Sequence, residues 1–429
     1  MALDNQKRVF VIVIDAFGVG GLPDAAEYGD RTDFNTLGGI DRQADHLNLP
    51  TLEKLGIGHL GKFKNVQALS SPVGSYGKMS EMSRGKDTTT GHWEMMGIYL
   101  ETPFPTYPEG FPKDVMDRFM AETGVKGYLG NKPASGTDIL KELGEAHLKT
   151  GHPIIYTSAD SVFQIAAHVG PESKCTLEDL YRWCETARRI LRDEHQVSRV
   201  IARPFLGANA DTFKRIGESR RDYAVTPIEK TTLNRIQEQG GVVLGIGKIE
   251  DIFNFSGLTH SWHTGNNPDG LNAIAQIVRR ELDWDSVCLE KNADGTPKAL
   301  SDYVNADKQF IFVNLVDTDS IYGHRRDVNG YARALEQVDT ALVGILAQLG
   351  ENDLLMISAD HGCDPTAPGS DHTREFVPIL LYGKNLPPRN LGVRDSFADI
   401  GRTVLEWLAL DKDGQRGKSL LPQEAPALV

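Results

Sequence analysis

Asp360 and His361 stand side by side in Ser358-Ala359-Asp360-His361-Gly362, directly after the apolar run Leu354-Leu355-Met356-Ile357. A carboxylate and an imidazole together suit a borderline divalent ion such as Mn²⁺ or Zn²⁺. One such pair can also be read as a turn whose aspartate caps the next helix, the weaker of the two readings. Its weight comes from three further stretches of the same character: Asp15 after Val9-Phe10-Val11-Ile12-Val13-Ile14, Asp319 followed by His324, and His372 in Asp371-His372-Thr373. Six residues of metal-ligand type would serve two ions about 4 Å apart, three ligands each. The set is too rich in nitrogen for Ca²⁺ and holds no thiolate. A second kind of chemistry is offered by Gly85-Lys86-Asp87-Thr88-Thr89-Thr90-Gly91-His92, where hydroxyls cluster before a helix-like stretch. A threonine at a helix N-terminus has backbone N–H groups and the positive dipole end beside it, which favours a phosphoryl group. Beside two divalent ions the Thr88 hydroxyl could ionise and attack phosphorus.

Such residues must be carried to one place. The runs ending at Ile14 and Ile357 are continuous and apolar, and those ending at Ile246 and Val316 are apolar but for Gly245 and Asn314, as expected of strands buried on both faces of a parallel sheet. In open α/β sheets ligands gather at the carboxyl ends of the strands. Asp319 and His324 are expected to converge across a loop. Helix-like patterns at 271–282 and 332–349 would flank the sheet. Between Pro103 and Pro112 the prolines crowd together, which marks a boundary. The expected organisation is a core of residues 1–103 and 228–429 with an inserted cap of residues 104–227. The cap alternates strand and helix and is rich in arginine. Its candidate substrate contacts are Asp160, just past a strand, Arg203 in an Arg203-Pro204-Phe205 corner after a strand, and Arg220. Lys248 ends a core strand, where it can neutralise a phosphate or snorkel to solvent.

A chain of 429 residues with 40% hydrophobic and 24% charged content is an ordinary globular composition. The net charge of −13 argues against general nucleic-acid binding, which wants a basic surface. It leaves a phosphate substrate open, because a few local cations can reverse the field in one cleft. Four scattered cysteines without a C-x-x-C pair fit a reducing compartment. No apolar run approaches the roughly 20 residues of a membrane span. The expectation is a cytoplasmic protein that binds neither membrane nor nucleic acid.

These motifs resemble the alkaline phosphatase superfamily: Asp15 after a first strand, a nucleophile before Gly91-His92, Asp319-x-x-x-x-His324, Asp360-His361-Gly362 and Asp371-His372-Thr373. Within it, Gly77-Lys78-Met79, Gly85-Lys86-Asp87-Thr88-x-Thr90-Gly91-His92-Trp93-Glu94, Arg203-Pro204-Phe205 and Gly323-His324-Arg325-Arg326-Asp327 are similar to the phosphopentomutases. The one departure is Gly39, where that family more often has histidine; no candidate ligand is touched by it. The resemblance implies an α/β, alkaline-phosphatase-like core with a mainly parallel sheet flanked by helices, plus a smaller inserted α/β cap. It implies reversible phosphoryl transfer between the C1 and C5 oxygens of ribose or 2-deoxyribose phosphate, with Thr88 phosphorylated. It also implies two Mn²⁺ ions, one on Asp15, Asp360 and His361 and one on Asp319, His324 and His372, with Zn²⁺ or Mg²⁺ as substitutes. Asp160, Arg203, Arg220 and Lys248 would touch the pentose phosphate. A sugar bisphosphate activator follows from the need to phosphorylate Thr88 a first time.

Rival chemistries remain open at this level. A metal-dependent phosphatase or phosphodiesterase would use the same six ligands. A cofactor-independent phosphoglycerate mutase resembles the core but uses serine where this chain has Thr88. A sulfatase would want C-x-P-x-R, and Cys363-Asp364-Pro365-Thr366-Ala367 lacks the arginine. A binding module without catalysis would have no use for Thr88.

Overall fold

The computed structural model describes residues 6–158, 161–192, 195–281 and 306–422. The chain divides at Thr102/Pro103 and Thr226/Pro227 into two compact units. In chain order the strands are β1 (Lys7–Ile14), β2 (Ser75–Met79), β3 (Leu129–Pro133), β4 (Ile154–Thr157), β5 (Val162–His168), β6 (Arg199–Leu206) and β7 (Lys214–Arg215). They continue with β8 (Arg221–Ala224), β9 (Val242–Ile246), β10 (His260–Trp262), β11 (Lys308–Leu315), β12 (Asp353–Ser358), β13 (Val377–Tyr382) and β14 (Asn390–Arg394).

The larger unit carries a sheet in the order β10-β9-β11-β1-β12-β13-β2-β14. β1 lies between β11 and β12 and is parallel to both; only the β12–β13 and β13–β2 pairs run antiparallel. Residues 9–14 of β1 are completely buried, which is why this strand reads as an unbroken apolar run. Register then decides where chemistry collects. Val13 pairs with Ser358, so Asp15 and Asp360 leave the sheet at the same level, two residues further on. Ile14 pairs with Leu315, which brings the exit of β11 and the following Asp319 to the same edge. Ile246 pairs with Val313, so Lys248 leaves β9 there as well. The helix Val328–Gln348 buries Leu335, Val338, Leu342 and Ile345.

Two local departures from regular geometry shape this edge. Ala16 sits at φ 68, a left-handed conformation that costs a non-glycine residue on the order of 1 kcal/mol. It is held there by the Tyr331 hydroxyl, which donates to its carbonyl at 2.8 Å, and by its own N–H, which donates to Asp360 Oδ1 at 3.0 Å. The segment Thr318–Gly323 is not the expected loop but a π-helical turn, in which His324 N donates to Asp319 O at 3.3 Å. That wider turn returns residues five apart to one face, where an α-helix would carry them apart.

The second unit is a six-stranded sheet, β3-β4-β5-β6-β7 with β8 also paired to β6. Phe163, Ile165 and Ala167 of β5 pack with residues of the helices Lys113–Thr123 and Leu177–Ile190, while Ala166 packs with Ile139 and Leu140 of the helix Asp138–Thr150. Arg203-Pro204-Phe205 is not a corner after a strand: β6 runs straight through it. Proline is tolerated because β8 pairs only as far as Ala202 and β7 begins at Phe205, so no ladder partner awaits an N–H at Pro204 on that side. Asp160 lies outside the described residues.

Candidate active site: two Asp/His triads beside Thr88

Two groups of side chains in the larger unit are arranged to hold a cation: Asp15, Asp360 and His361, and Asp319, His324 and His372. Within each group the ligand atoms lie within 4.8 Å of one another. His361 Nε2 is 3.5 Å from Asp15 Oδ1 and from Asp360 Oδ2. Asp319 Oδ1 is 3.3 Å from His324 Nε2 and 3.4 Å from His372 Nε2. The rings of His361 and His372 are 4.1 Å apart between centroids, so the two groups are neighbours.

Each donor is aimed by a partner on its far side. Asp15 Oδ2 accepts from Asn314 Nδ2 at 3.1 Å and Asp360 Oδ1 from Ala16 N at 3.0 Å. The inward oxygens, Asp15 Oδ1, Asp319 Oδ1 and Asp360 Oδ2, are buried and have no hydrogen-bond partner among the described residues. Nδ1 of His324 donates to the Ser370 carbonyl at 2.6 Å and Nδ1 of His361 to the Gly362 carbonyl at 3.1 Å. Both rings therefore present Nε2 lone pairs inward, the tautomer a metal requires. Buried acceptors left unpaired and converging are costly unless a cation satisfies them. Donor chemistry and geometry together fit divalent metal ions of the Mn²⁺ and Zn²⁺ class.

Burial, with the nearby Asp360 carboxylate, pushes Asp15 well above the usual carboxylate range. Burial pushes Asp360 and Asp319 the same way, yet both end well below that range: His361 and His92 hold Asp360 ionised, and His372 and His324 hold Asp319 ionised. Lys248 does not snorkel away; its Nζ lies 3.5 Å from Asp15 Oδ2.

Thr88 opens the helix Thr88–Met95, with Oγ1 3.3 Å from His361 Nε2. What permits this approach is Gly91, where an added Cβ would come 2.1 Å from the Asp360 carbonyl oxygen. The helix N-terminus differs from expectation in one respect. Asp87 Oδ1 accepts from Thr89 N and Thr90 N at 3.1 Å, so these amides are taken up by a carboxylate and are not presented to a phosphoryl group.

In the second unit, Arg203 Nε donates to Gln164 Oε1 at 3.0 Å, and Arg220 makes a two-pronged contact with Asp222 at 2.7 and 2.6 Å. Burial and the neighbouring Arg220 lower Arg203 to about 10. Four further residues have clear work near the triads that the sequence did not assign them. Lys86 bridges Asp30 and Asp371. His92 contacts Thr88 and Asp360. Arg326 donates to the carbonyls of Asp364, Gly369 and Asp371. Glu375 accepts from Gly20, Thr36 and Thr373. Lys86, His92 and Arg326 lie inside motifs given above, which was the available signal; Glu375 lies just past one, and the partners distant in sequence gave none.

Residues 7–412 match the Metalloenzyme superfamily. A phosphopentomutase of Caldanaerobacter subterraneus subsp. tengcongensis is 51% identical over 401 residues, covering 93% of this chain and 94% of that protein. One from Symbiobacterium thermophilum is 48% identical over 409 residues, with coverage of 95% and 96%. One from Acetivibrio thermocellus is 47% identical over 417 residues, with coverage of 97% and 99%. Similarity of this degree over nearly the whole length, on a sheet edge that converges two Asp/His triads beside a threonine, leads to one conclusion: the chain belongs to the phosphopentomutase family of the Metalloenzyme superfamily.

Proposed function

We propose that this chain interconverts the 1-phosphate and 5-phosphate of ribose or 2-deoxyribose, with Thr88 Oγ1 carrying the phosphoryl group between the two sugar oxygens. The observation that carries the reading is the placement of Thr88 Oγ1, 3.3 Å from His361 Nε2, beside buried carboxylate oxygens that lack partners. Two divalent cations, Mn²⁺ in this proposal with Zn²⁺ or Mg²⁺ as substitutes, would supply charge neutralisation and a lowered pKa at the hydroxyl. Asp15, Asp360 and His361 would hold one, and Asp319, His324 and His372 the other.

The chain's own groups explain why cations are needed. A phosphoryl group on Thr88 would face three ligand carboxylates and the Asp87 cap, with Lys248 the cation at Asp15. The amides of Thr89 and Thr90 cannot help, because Asp87 already occupies them. Gly91 and the Asp87 cap fix the first turn of the helix, so Oγ1 is held in place before substrate arrives. As the sugar's accepting oxygen bonds to phosphorus, the bond from phosphorus to Thr88 Oγ1 breaks, and the proton released by the sugar hydroxyl restores Thr88 Oγ1 as a hydroxyl.

Asp160, Arg203, Arg220 and Lys248 are proposed as contacts to the pentose phosphate; on this reading Arg203→Ala raises KM more than it lowers kcat. A sugar bisphosphate is proposed as the activator that first phosphorylates Thr88, shortening a lag in turnover. No helix among the described residues is long and apolar enough to cross a membrane, and Cys175, Cys184 and Cys363 are free thiols, which supports a cytoplasmic setting.

The deciding experiment follows ribose 1-phosphate and free phosphate together, from ribose 5-phosphate and Mn²⁺, with wild type and Thr88→Ala. Isomer without free phosphate, lost in the variant, is expected. Free phosphate as the main product would make the chain a phosphatase, and isomer formation by the variant would remove Thr88 from the mechanism.

A further inference from the structure

His92 is completely buried and lies one helical turn after Thr88. Its Nδ1 is 2.8 Å from the Thr88 carbonyl oxygen and 3.3 Å from Asp360 Oδ2. Both facing atoms are acceptors, so Nδ1 must carry the proton. Nε2 is buried with no hydrogen-bond partner among the described residues, and the ring packs against Phe312 at 5.6 Å between centroids. A proton on Nε2 would leave a donor buried and unpaired. Asp360 Oδ1 is already held by Ala16 N, so Oδ2 is the oxygen left to face an ion, and His92 is the donor beside it.

We infer that His92 is a positioning residue: its Nδ1–H, donated to the Thr88 carbonyl and facing Asp360 Oδ2 at 3.3 Å, ties the nucleophile's helix to the first ligand triad. The inference rests on the two-ion reading above. With Gly91 pressed against the Asp360 backbone, the imidazole is the side-chain clasp of a contact that the main chain begins. It sets the direction of Oδ2 and the height of Thr88 together, which neither the strand exit nor the helix cap does alone.

The test exploits the fact that an asparagine amide reaches the place of Nδ1 and a glutamine amide the place of Nε2. Mn²⁺ is titrated calorimetrically into chelator-treated full-length wild type, His92→Asn and His92→Gln, with melting temperatures recorded alongside. We expect His92→Asn to bind within about threefold of wild type and His92→Gln to lose roughly tenfold to a hundredfold at one of the two sites, as when the outer partner of a ligand is removed. Equal affinities for the two variants overturn the inference. A wild type that binds fewer than two ions instead overturns the two-ion reading. Neither result depends on turnover. Should a variant fold poorly, ¹⁵N spectra of the wild-type histidines decide the matter without it: His92 with a protonated Nδ1 and a bare Nε2 supports the clasp, and a protonated Nε2 overturns it.

Discussion

The two triads use similar donors but are built differently. Asp15, Asp360 and His361 are sealed in the interior, whereas the side chain of His324 in the other triad is 35% exposed. The sealed triad sits on the exits of β1 and β12, adjacent parallel strands whose register already brings Asp15 level with Asp360. The open triad comes from a π-helical turn and from the segment after Asp364, neither of which belongs to the sheet. Its geometry is kept by polar tethers. Arg326 spreads its guanidinium over the carbonyls of Asp364, Gly369 and Asp371, His324 Nδ1 reaches Ser370 O, and Lys86 Nζ holds Asp371 at 3.0 Å. A sheet fixes the backbone of Asp15 and Asp360 through its whole ladder and leaves only their side chains to be aimed; a tethered loop has its backbone held by its tethers as well. The second ion should accordingly be the easier one to lose and to replace.

The strongest way to break this contrast is to remove one ligand from each side. Asp360→Asn should lower turnover by about a thousandfold or more, with no recovery in excess Mn²⁺, because it also strips the charge that His361 and Ala16 are arranged around. His324→Ala should weaken Mn²⁺ binding and regain much of its turnover as the ion is raised. Steady-state rates across a Mn²⁺ series check both, and equal rescue of the two variants would end the distinction.

A smaller effect sharpens it. Arg326→Ala touches no ligand, yet should weaken one Mn²⁺ site by about tenfold and leave the other unchanged. Calorimetric titration resolves the two, and a loss shared by both sites would mean that the tethers serve the whole edge.

The smallest effect concerns a buried carboxyl that gathers donors from the segments following Asp15 and His372. Glu375 accepts from Gly20 N on the Asp15 side at 3.1 Å, from Thr36 N and Oγ1 at 2.9 and 2.7 Å, and from Thr373 Oγ1, next to His372, at 2.7 Å. Burial pushes its carboxyl up to about 7, against the pull of the Thr373 and Thr36 hydrogen bonds. A carboxyl raised on folding keeps its proton after the unfolded chain has lost it. Its stabilisation is therefore full below the unfolded value near 4.5 and is lost as pH rises towards 7. Urea unfolding of chelator-treated protein should show wild type losing stability relative to Glu375→Gln between pH 5 and 8. No difference in slope across this window would mean that the four donors keep Glu375 ionised in the folded chain.

Much of this was legible in local pattern. The apolar run of residues 9–14 ending in Asp15, and that of residues 354–357 followed by Asp360, announce buried strands with carboxylates at their exits, because burial on both faces demands unbroken hydrophobicity. Asp319 and His324 were less readable: a spacing of five fits neither an α-helix nor a strand, so it looks like a loop until the π-helical turn is seen. Arg203-Pro204-Phe205 misled for a related reason, since proline usually closes a strand and here falls between two pairing partners.

Residue types and short spacings were thus enough to name the four parallel strands whose ends carry the site and the α/β class, and to nominate Thr88 and six donors, since hydrophobic periodicity and donor chemistry are properties of neighbours in the chain. The meeting of those donors depended on register, Val13 with Ser358 and Ile14 with Leu315, which is settled between segments hundreds of residues apart. So did the work of His92, Arg326 and Glu375, whose side chains acquire a purpose through partners that the chain brings to them only on folding.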